Sequence, residues 1–222
     1  MSDDERIRLT GYAADLMDHF RWEAARGFAV DDEMKVVIAG NAALPVLELG
    51  TEHYRGVTSV IVHPGPIRLT GERAGPAPGL VTSGPEYLDG EAHHAGPVVL
   101  AWSALRYEAR HPHVGRNVVI HEFAHRLDML DGMVDGTPPL GDEARLARWV
   151  EVCTPRFEAL QRGDQDPVLR AYGGENVGEF FAVATETFFC VPVALHEHHP
   201  DLYAVLADFY RQDPARRART SV

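Results

Sequence analysis

Residues 116–125 read Arg116-Asn117-Val118-Val119-Ile120-His121-Glu122-Phe123-Ala124-His125, and this stretch decides the fold. No helix breaker interrupts it. The two histidines therefore stand four positions apart on one helical face, about 6 Å from each other, where both imidazoles can reach one metal ion. Glu122 projects at the adjacent angle and can touch a metal-bound water without being a ligand. Zinc brings the pKa of its water towards neutrality and polarises a carbonyl, and a carboxylate removes the proton. That is the minimal kit for hydrolysing an amide. The competing reading is a surface helix with two solvated histidines. Against it, Val118, Val119, Ile120, Phe123, Ala124 and Leu127 make the helix apolar nearly all round, the mark of a buried one. A buried histidine needs a partner for each ring nitrogen, and two in register want one in common.

Catalytic zinc sites combine three protein groups with one open position, so a third ligand is needed. It is sought in Gly178-Glu179-Phe180-Phe181-Ala182-Val183-Ala184-Thr185-Glu186-Thr187-Phe188-Phe189, a second strongly apolar helix carrying two acids. Glu179 and Glu186 are two helical turns apart and share a face. A carboxylate on an apolar helix is costly to bury unless it finds a cation or a donor. A solvated stripe is the alternative, and the aromatic pairs beside each acid argue against it. Glu179 is the expected ligand and Glu186 the group expected to hold a ligand histidine's other N–H. Asp128, seven after His121, competes for that orienting role and reads equally as part of the turn Asp128-Met129-Leu130-Asp131-Gly132.

With these residues assembled, the chain resembles the Mlc titration factor A family of bacterial zinc peptidases. His121-Glu122-Phe123-Ala124-His125-Arg126-Leu127-Asp128 and Glu179-Phe180-Phe181-Ala182-Val183 carry the likeness. Leu44-Pro45-Val46-Leu47-Glu48-Leu49-Gly50, Gly96-Pro97-Val98-Val99-Leu100-Ala101-Trp102 and Phe209-Tyr210-Arg211-Gln212-Asp213-Pro214 extend it over roughly residues 43–216. The family is similar in its catalytic core to the anthrax lethal factor protease domain. The resemblance implies an α+β, zincin-like metallopeptidase with Zn2+ on His121, His125 and Glu179, and Glu122 as general base. Tyr172, seven before Glu179, becomes the counterpart of a tyrosine whose hydroxyl supports the oxyanion, a reasonable duty for a phenol near a metal. It reads equally as a loop aromatic packed on the core. Some relatives carry a further histidine metal contact upstream of the Gly96-Pro97-Val98 strand. Thr82 stands there in this chain, so no fourth ligand is carried over.

The resemblance also implies that members bind a transcriptional repressor of sugar uptake and take it off its operator. The chain is thus readable as a peptide-bond hydrolase acting on a peptide or protein, aminopeptidase-like activity included, or as a regulator with catalysis secondary. A bare binding module has no need of Glu122. A purely structural zinc site would need a fourth protein ligand, which the sequence does not offer. Histidines 93, 94, 111, 113, 196, 198 and 199 lie beside Gly or Pro in apparent loops and read as solvated.

At 222 residues and 45% hydrophobic content, the chain can bury one sizeable core, and a single domain is expected, with loose ends at residues 1–10 and 215–222. Its formal charge of −12 repels phosphate backbones, which argues against nucleic acid; the tail Arg216-Arg217-Ala218-Arg219 is too short to be a binding patch. No apolar run approaches the roughly 18 residues of a membrane span, and the polar start lacks a signal core. Cys153 and Cys190, without C-x-x-C spacing, read as free thiols of a cytoplasmic protein.

Amphipathic spacing predicts a helix over residues 12–26, and acids suited to a helix start open another at 31–43, which Pro45 interrupts. Strands are expected at 57–63 and 98–103. Residues 71–96, rich in Gly, Pro and acids, read as a long loop with one short strand near 79–83, either a lid or an ordinary connection. Helices are expected at 142–161 and 201–210, with a break at Gly173-Gly174. The order predicts a small sheet ahead of the active helix and a mainly helical C-terminal half. The strand at 98–103 is the expected edge on which an extended peptide would add.

Overall fold

The computed structural model describes residues 1–25, 27–69, 72–74, 81–83, 86–88, 90–92 and 96–220. The chain opens with α1 (Asp3–His19), started by a capping box in which the Ser2 hydroxyl accepts from the Glu5 N–H while the Glu5 carboxylate accepts from the Ser2 N–H. Strand β1 (Arg21–Ala24) follows directly. The helix expected over 12–26 therefore lies earlier in the chain, and residues 21–24 of that span are a strand. Phe20 is buried against Phe123, and the Trp22 indole donates to the Met17 carbonyl at 2.9 Å, which turns the chain out of the helix. Helix α2 (Asp32–Ala43) starts where the Asp31 carboxylate accepts from the Met34 N–H.

Strand β2 (Ser59–His63) begins two residues later than expected. Strand β3 (Ile67–Leu69) follows, and the span 71–96, read as a long loop with one short strand near 79–83, contains β4 (Glu72–Ala74), β5 (Val81–Ser83) at the place of that expected strand, β6 (Glu86–Leu88) and β7 (Gly90–Ala92). Strands β4 and β5 pair antiparallel inside the antiparallel pair of β3 and β6, forming a nested ribbon. Thr82 stands in β5 opposite Arg73. His93 and His94 lie outside the described residues.

Strand β8 (Val98–Ala101) runs parallel to β2, and β2 parallel to β1. The main sheet has the order β1-β2-β8-β7, with β7 antiparallel to β8. Strand β8 is consequently no edge. Its expected free side is taken by β7, in register Gly90 opposite Leu100 and Ala92 opposite Val98. The edge that runs beside the helix of His121 and His125 is β7. The chain then turns helical at once in α3 (Trp102–Arg110), inside a segment read as strand up to residue 103.

Five more helices from α4 to α8 complete the core: α4 (Val118–Asp128), α5 (Glu143–Gln161), α6 (Val177–Cys190), α7 (Pro192–His198) and α8 (Pro200–Tyr210). The last described helix, α9 (Pro214–Thr220), brings Arg217 onto the Glu5 carboxylate of α1 at 2.8 Å, so α9 and α1 are joined by an ion pair. Helix α4 lies between the sheet and α6, touching β7 on one side and α6 on the other. Its Phe123 packs against Tyr54 and Phe20 with ring centroids 4.8 and 5.6 Å away, while Phe181 of α6 meets Trp149 and Phe209. The architecture is α+β, a small mostly parallel sheet ahead of α4 and helices after it. Among the described residues no single helix is long and apolar enough to cross a membrane.

Candidate active site

Every residue of α4 is buried, as its apolar circumference requires. A buried helix start leaves backbone N–H groups with no intrahelical partner, and each must find one. Here side chains supply all of them. The Asn117 side chain accepts from the N–H groups of Val119 and Ile120, both at 3.1 Å. Glu108 of α3 takes the Val118 N–H at 2.7 Å, and Glu186 of α6 takes that of Asn117 at 2.9 Å. Asn117 is itself held by Asn41, whose side-chain oxygen accepts at 2.7 Å. Helix α4 is thus fixed in place from three other helices.

On this helix His121 and His125 stand with ring centroids 4.9 Å apart and their Nε2 atoms separated by 3.2 Å. Glu179 comes in from the first turn of α6, where the helix dipole favours a carboxylate and the Asn176 side chain caps the Glu179 N–H at 3.0 Å. Its Oε2 lies 3.0 Å from His121 Nε2 and 3.5 Å from His125 Nε2. The three sides of this triangle are 3.0, 3.2 and 3.5 Å. A tetrahedral ion with bonds of about 2.0–2.2 Å sets its ligands roughly 3.3–3.6 Å apart. Among the described residues no other set of three His, Cys, Asp or Glu side chains converges like this.

The donor set itself calls for a cation. The Glu186 carboxylate faces His121 Nδ1 at 3.1 Å, and with the proton on that nitrogen the Nε2 lone pair points at Glu179. Three electron-rich atoms then meet at one point. Burial disfavours a charged His121, but Glu179 and Glu186 on its two nitrogens, aided by Glu122, outweigh that and raise its pKa to about 10. Burial likewise would raise Glu179, yet His121 and His125 hold it well below the usual carboxylate range. Glu186 is lowered in the same way: its burial is overcome by His121, then Arg170 and the Asn117 N–H. Without a cation these carboxylates favour a proton on both His121 nitrogens, and a bound metal ion would take the place of the one on Nε2.

Glu122 is buried beside His121 on α4. Tyr172, in the 3₁₀ turn Ala171–Gly174, is 43% exposed with its ring centroid 6.0 Å from that of His121, which puts it at the mouth of the site. Asp128 is elsewhere. Its Oδ2 accepts from the Gly136 N–H at 3.1 Å, tying down the loop after α4 and not a ligand histidine. Gly136 has φ +71°, and a Cβ there would come within 2.3 Å of the Val177 carbonyl, so only glycine fits between that loop and the start of α6. The orienting contact on His121 belongs to Glu186. Helix geometry explains the difference: Asp128 stands two turns beyond His121, at the last residue of α4, within reach of the loop at Gly136.

Burial raises the Asp128 pKa to about 6 against the opposing Gly136 N–H. An acid whose folded pKa lies above its unfolded value binds its proton more tightly when folded, so it costs stability as pH rises through that interval. Metal-free Asp128→Asn, which keeps an oxygen for Gly136, should gain in Tm relative to wild type as pH climbs from 4 to 7. A constant Tm difference across that range would show that Asp128 does not titrate there.

Sequence reasoning overlooked Asn117, Glu108 and Arg170. Asn117 was detectable, since Asn directly before an apolar helical run is a cap signature. Glu108 and Arg170 carry no local signal; they matter only through residues distant in sequence.

Residues 1–211 match the family described as glucose-regulated metallo-peptidase M90. Mlc titration factor A of Edwardsiella ictaluri is 36% identical over 98% of this chain and 84% of its own length. Its namesake in Yersinia pestis (strain Pestoides F) is 32% identical over 99% and 82%. An uncharacterized Synechocystis protein is 31% identical over 96% and 79%. A match of this extent, on an α+β zincin-like architecture with a metal-sized cluster at its centre, leaves one assignment: the chain belongs to the glucose-regulated metallo-peptidase M90 family.

Proposed function

We propose that the protein hydrolyses peptide bonds with a zinc ion held by His121, His125 and Glu179. The observation that carries this reading is the 3.0–3.5 Å triangle of those three side chains with buried Glu122 on the same helix. When bound, zinc supplies a Lewis acid for the scissile carbonyl and lowers the pKa of a coordinated water. Glu122 takes the proton of the attacking water and passes it to the leaving amine. Glu186 keeps the His121 ring turned so that Nε2 faces the centre. Tyr172 donates from the mouth to the carbonyl oxygen as negative charge builds there. An extended peptide would lie along β7, the antiparallel edge strand beside α4, and pair with it through main-chain hydrogen bonds.

The reading is tested by assaying aminoacyl and peptide chromogenic substrates with zinc, with chelator, and with zinc restored. Turnover that follows the metal supports it; a zinc-loaded protein inert on a mixed peptide library argues against it. Tyr172→Phe should lower kcat about a hundredfold while KM and zinc content hold, the usual cost of one oxyanion donor. An unchanged kcat would leave Tyr172 as a rim aromatic only. A second reading has support from the name Mlc titration factor A borne by two relatives. It holds that the protein binds a transcriptional repressor and that cleavage is secondary. Tight binding of a purified repressor by a catalytically dead Glu122→Gln variant would favour it.

A further inference from the structure

Arg170 has no part in the mechanism above, yet it touches two of its members. It immediately precedes the 3₁₀ turn that carries Tyr172, and its guanidinium Nη2 contacts Glu186 Oε2. That oxygen is the one facing His121 Nδ1. The guanidinium carbon also stands 5.9 Å from the centroid of the Tyr172 ring, within cation–π range.

Glu186 has a burial problem of its own. Its side chain is 2% exposed, and an isolated buried carboxylate is strongly penalised unless a cation accompanies it. The Asn117 N–H satisfies Oε1, but an amide brings no net charge. Of the described contacts of Glu186, Arg170 alone holds a permanent positive charge, because a histidine that ligates a metal is neutral. The carboxylate is therefore fixed at three points, by an amide, an imidazole and a guanidinium.

We propose that Arg170 is a positioning residue for the metal centre, holding Glu186 against His121 and the Tyr172 ring at the mouth with one side chain. Without it, the buried Glu186 carboxylate keeps only two weaker partners and is free to turn away from His121, which releases the ring from the orientation that aims Nε2 at the centre. The same loss takes the cation away from the Tyr172 ring. Metal retention and turnover consequently depend on a residue that reaches neither metal nor substrate.

This inference rests on the zinc-peptidase reading, so the experiment separates the two. Zinc affinity is measured by chelator competition on wild type, Arg170→Lys, Arg170→Met and Arg170→Ala, with folding followed by circular dichroism. Arg170→Ala and Arg170→Met should bind zinc about tenfold more weakly, the low end for partners of metal ligands, and Arg170→Lys should recover part of the loss. With zinc saturating, Arg170→Ala should lower kcat more than KM, and by a smaller factor when Tyr172→Phe is already present. A folded Arg170→Met with wild-type zinc affinity overturns the proposal, as does a kcat loss of equal size in both Tyr172 backgrounds. Should the alanine variant not fold, the methionine and lysine variants decide. Wild-type protein that takes up no zinc overturns the metal reading itself, a result distinct from variants that match a zinc-loaded wild type.

Discussion

Glu122→Gln is expected to keep zinc at one per chain and lose hydrolysis by about 10²–10⁴-fold, the range for a positioned general base. In free-energy terms that is roughly 3–5 kcal/mol of transition-state stabilisation at 1.36 kcal/mol per decade. Glutamine preserves the length and shape of the side chain, which matters because residue 122 is buried in a helix with no exposed face. What it removes is the basic oxygen. KM should change little, since the lost interaction belongs to the transition state and not to substrate binding. Metal analysis and steady-state kinetics on the same preparation decide the matter. A variant that has lost its metal would make Glu122 a ligand; one that retains full turnover would leave the site without a base.

The second large effect is on the metal itself. Glu179→Ala and His125→Ala should each lower zinc affinity by at least two decades. A four-ligand structural site is worth about 10–16 kcal/mol in all, so one ligand accounts for roughly 3 kcal/mol. The two variants differ in what they leave behind. Glu179→Ala removes one of the two carboxylates that face the His121 nitrogens, leaving Glu186 on Nδ1. His125→Ala removes one of the two imidazoles that hold Glu179 ionised. Full zinc stoichiometry at limiting metal in either variant would contradict the three-ligand centre. Both should leave the fold intact, because the packing of α4 and α6 rests on Phe123, Phe181 and their aromatic neighbours.

Much of this was legible because the decisive elements are local and periodic. The four-residue spacing of His121 and His125, and the seven-residue spacing of Glu179 and Glu186, translate directly into shared helix faces. The apolar circumference of α4 correctly announced burial, and Asp31, Asp142 and the acids after them marked helix starts. The sheet was harder. The chain at Arg21–Ala24 is a strand because β2 lies beside it, and four residues are too few for a period to show. Of strands β3 to β6 only β5 was marked, near 79–83; the Gly and Pro content of that span otherwise reads as loop. Placing the sheet edge at β8 failed for a similar reason, since β7 is only three residues long and its pairing is tertiary. Arg170 and Glu108 were invisible because a lone charge in a loop or on a helix end looks the same whether or not it meets a partner far along the chain.

The two oxygens of Glu186 have separate employers: Oε1 takes a backbone amide at the head of α4, and Oε2 takes the imidazole one turn further on. A rotation of that carboxylate is therefore felt at both places together. The amide proton of Asn117, silent in the chemistry, becomes a natural spectroscopic reporter of the ring orientation at His121. Its resonance and its exchange with solvent deuterium register what occupies the cleft, with no label placed in the cleft and no substrate required.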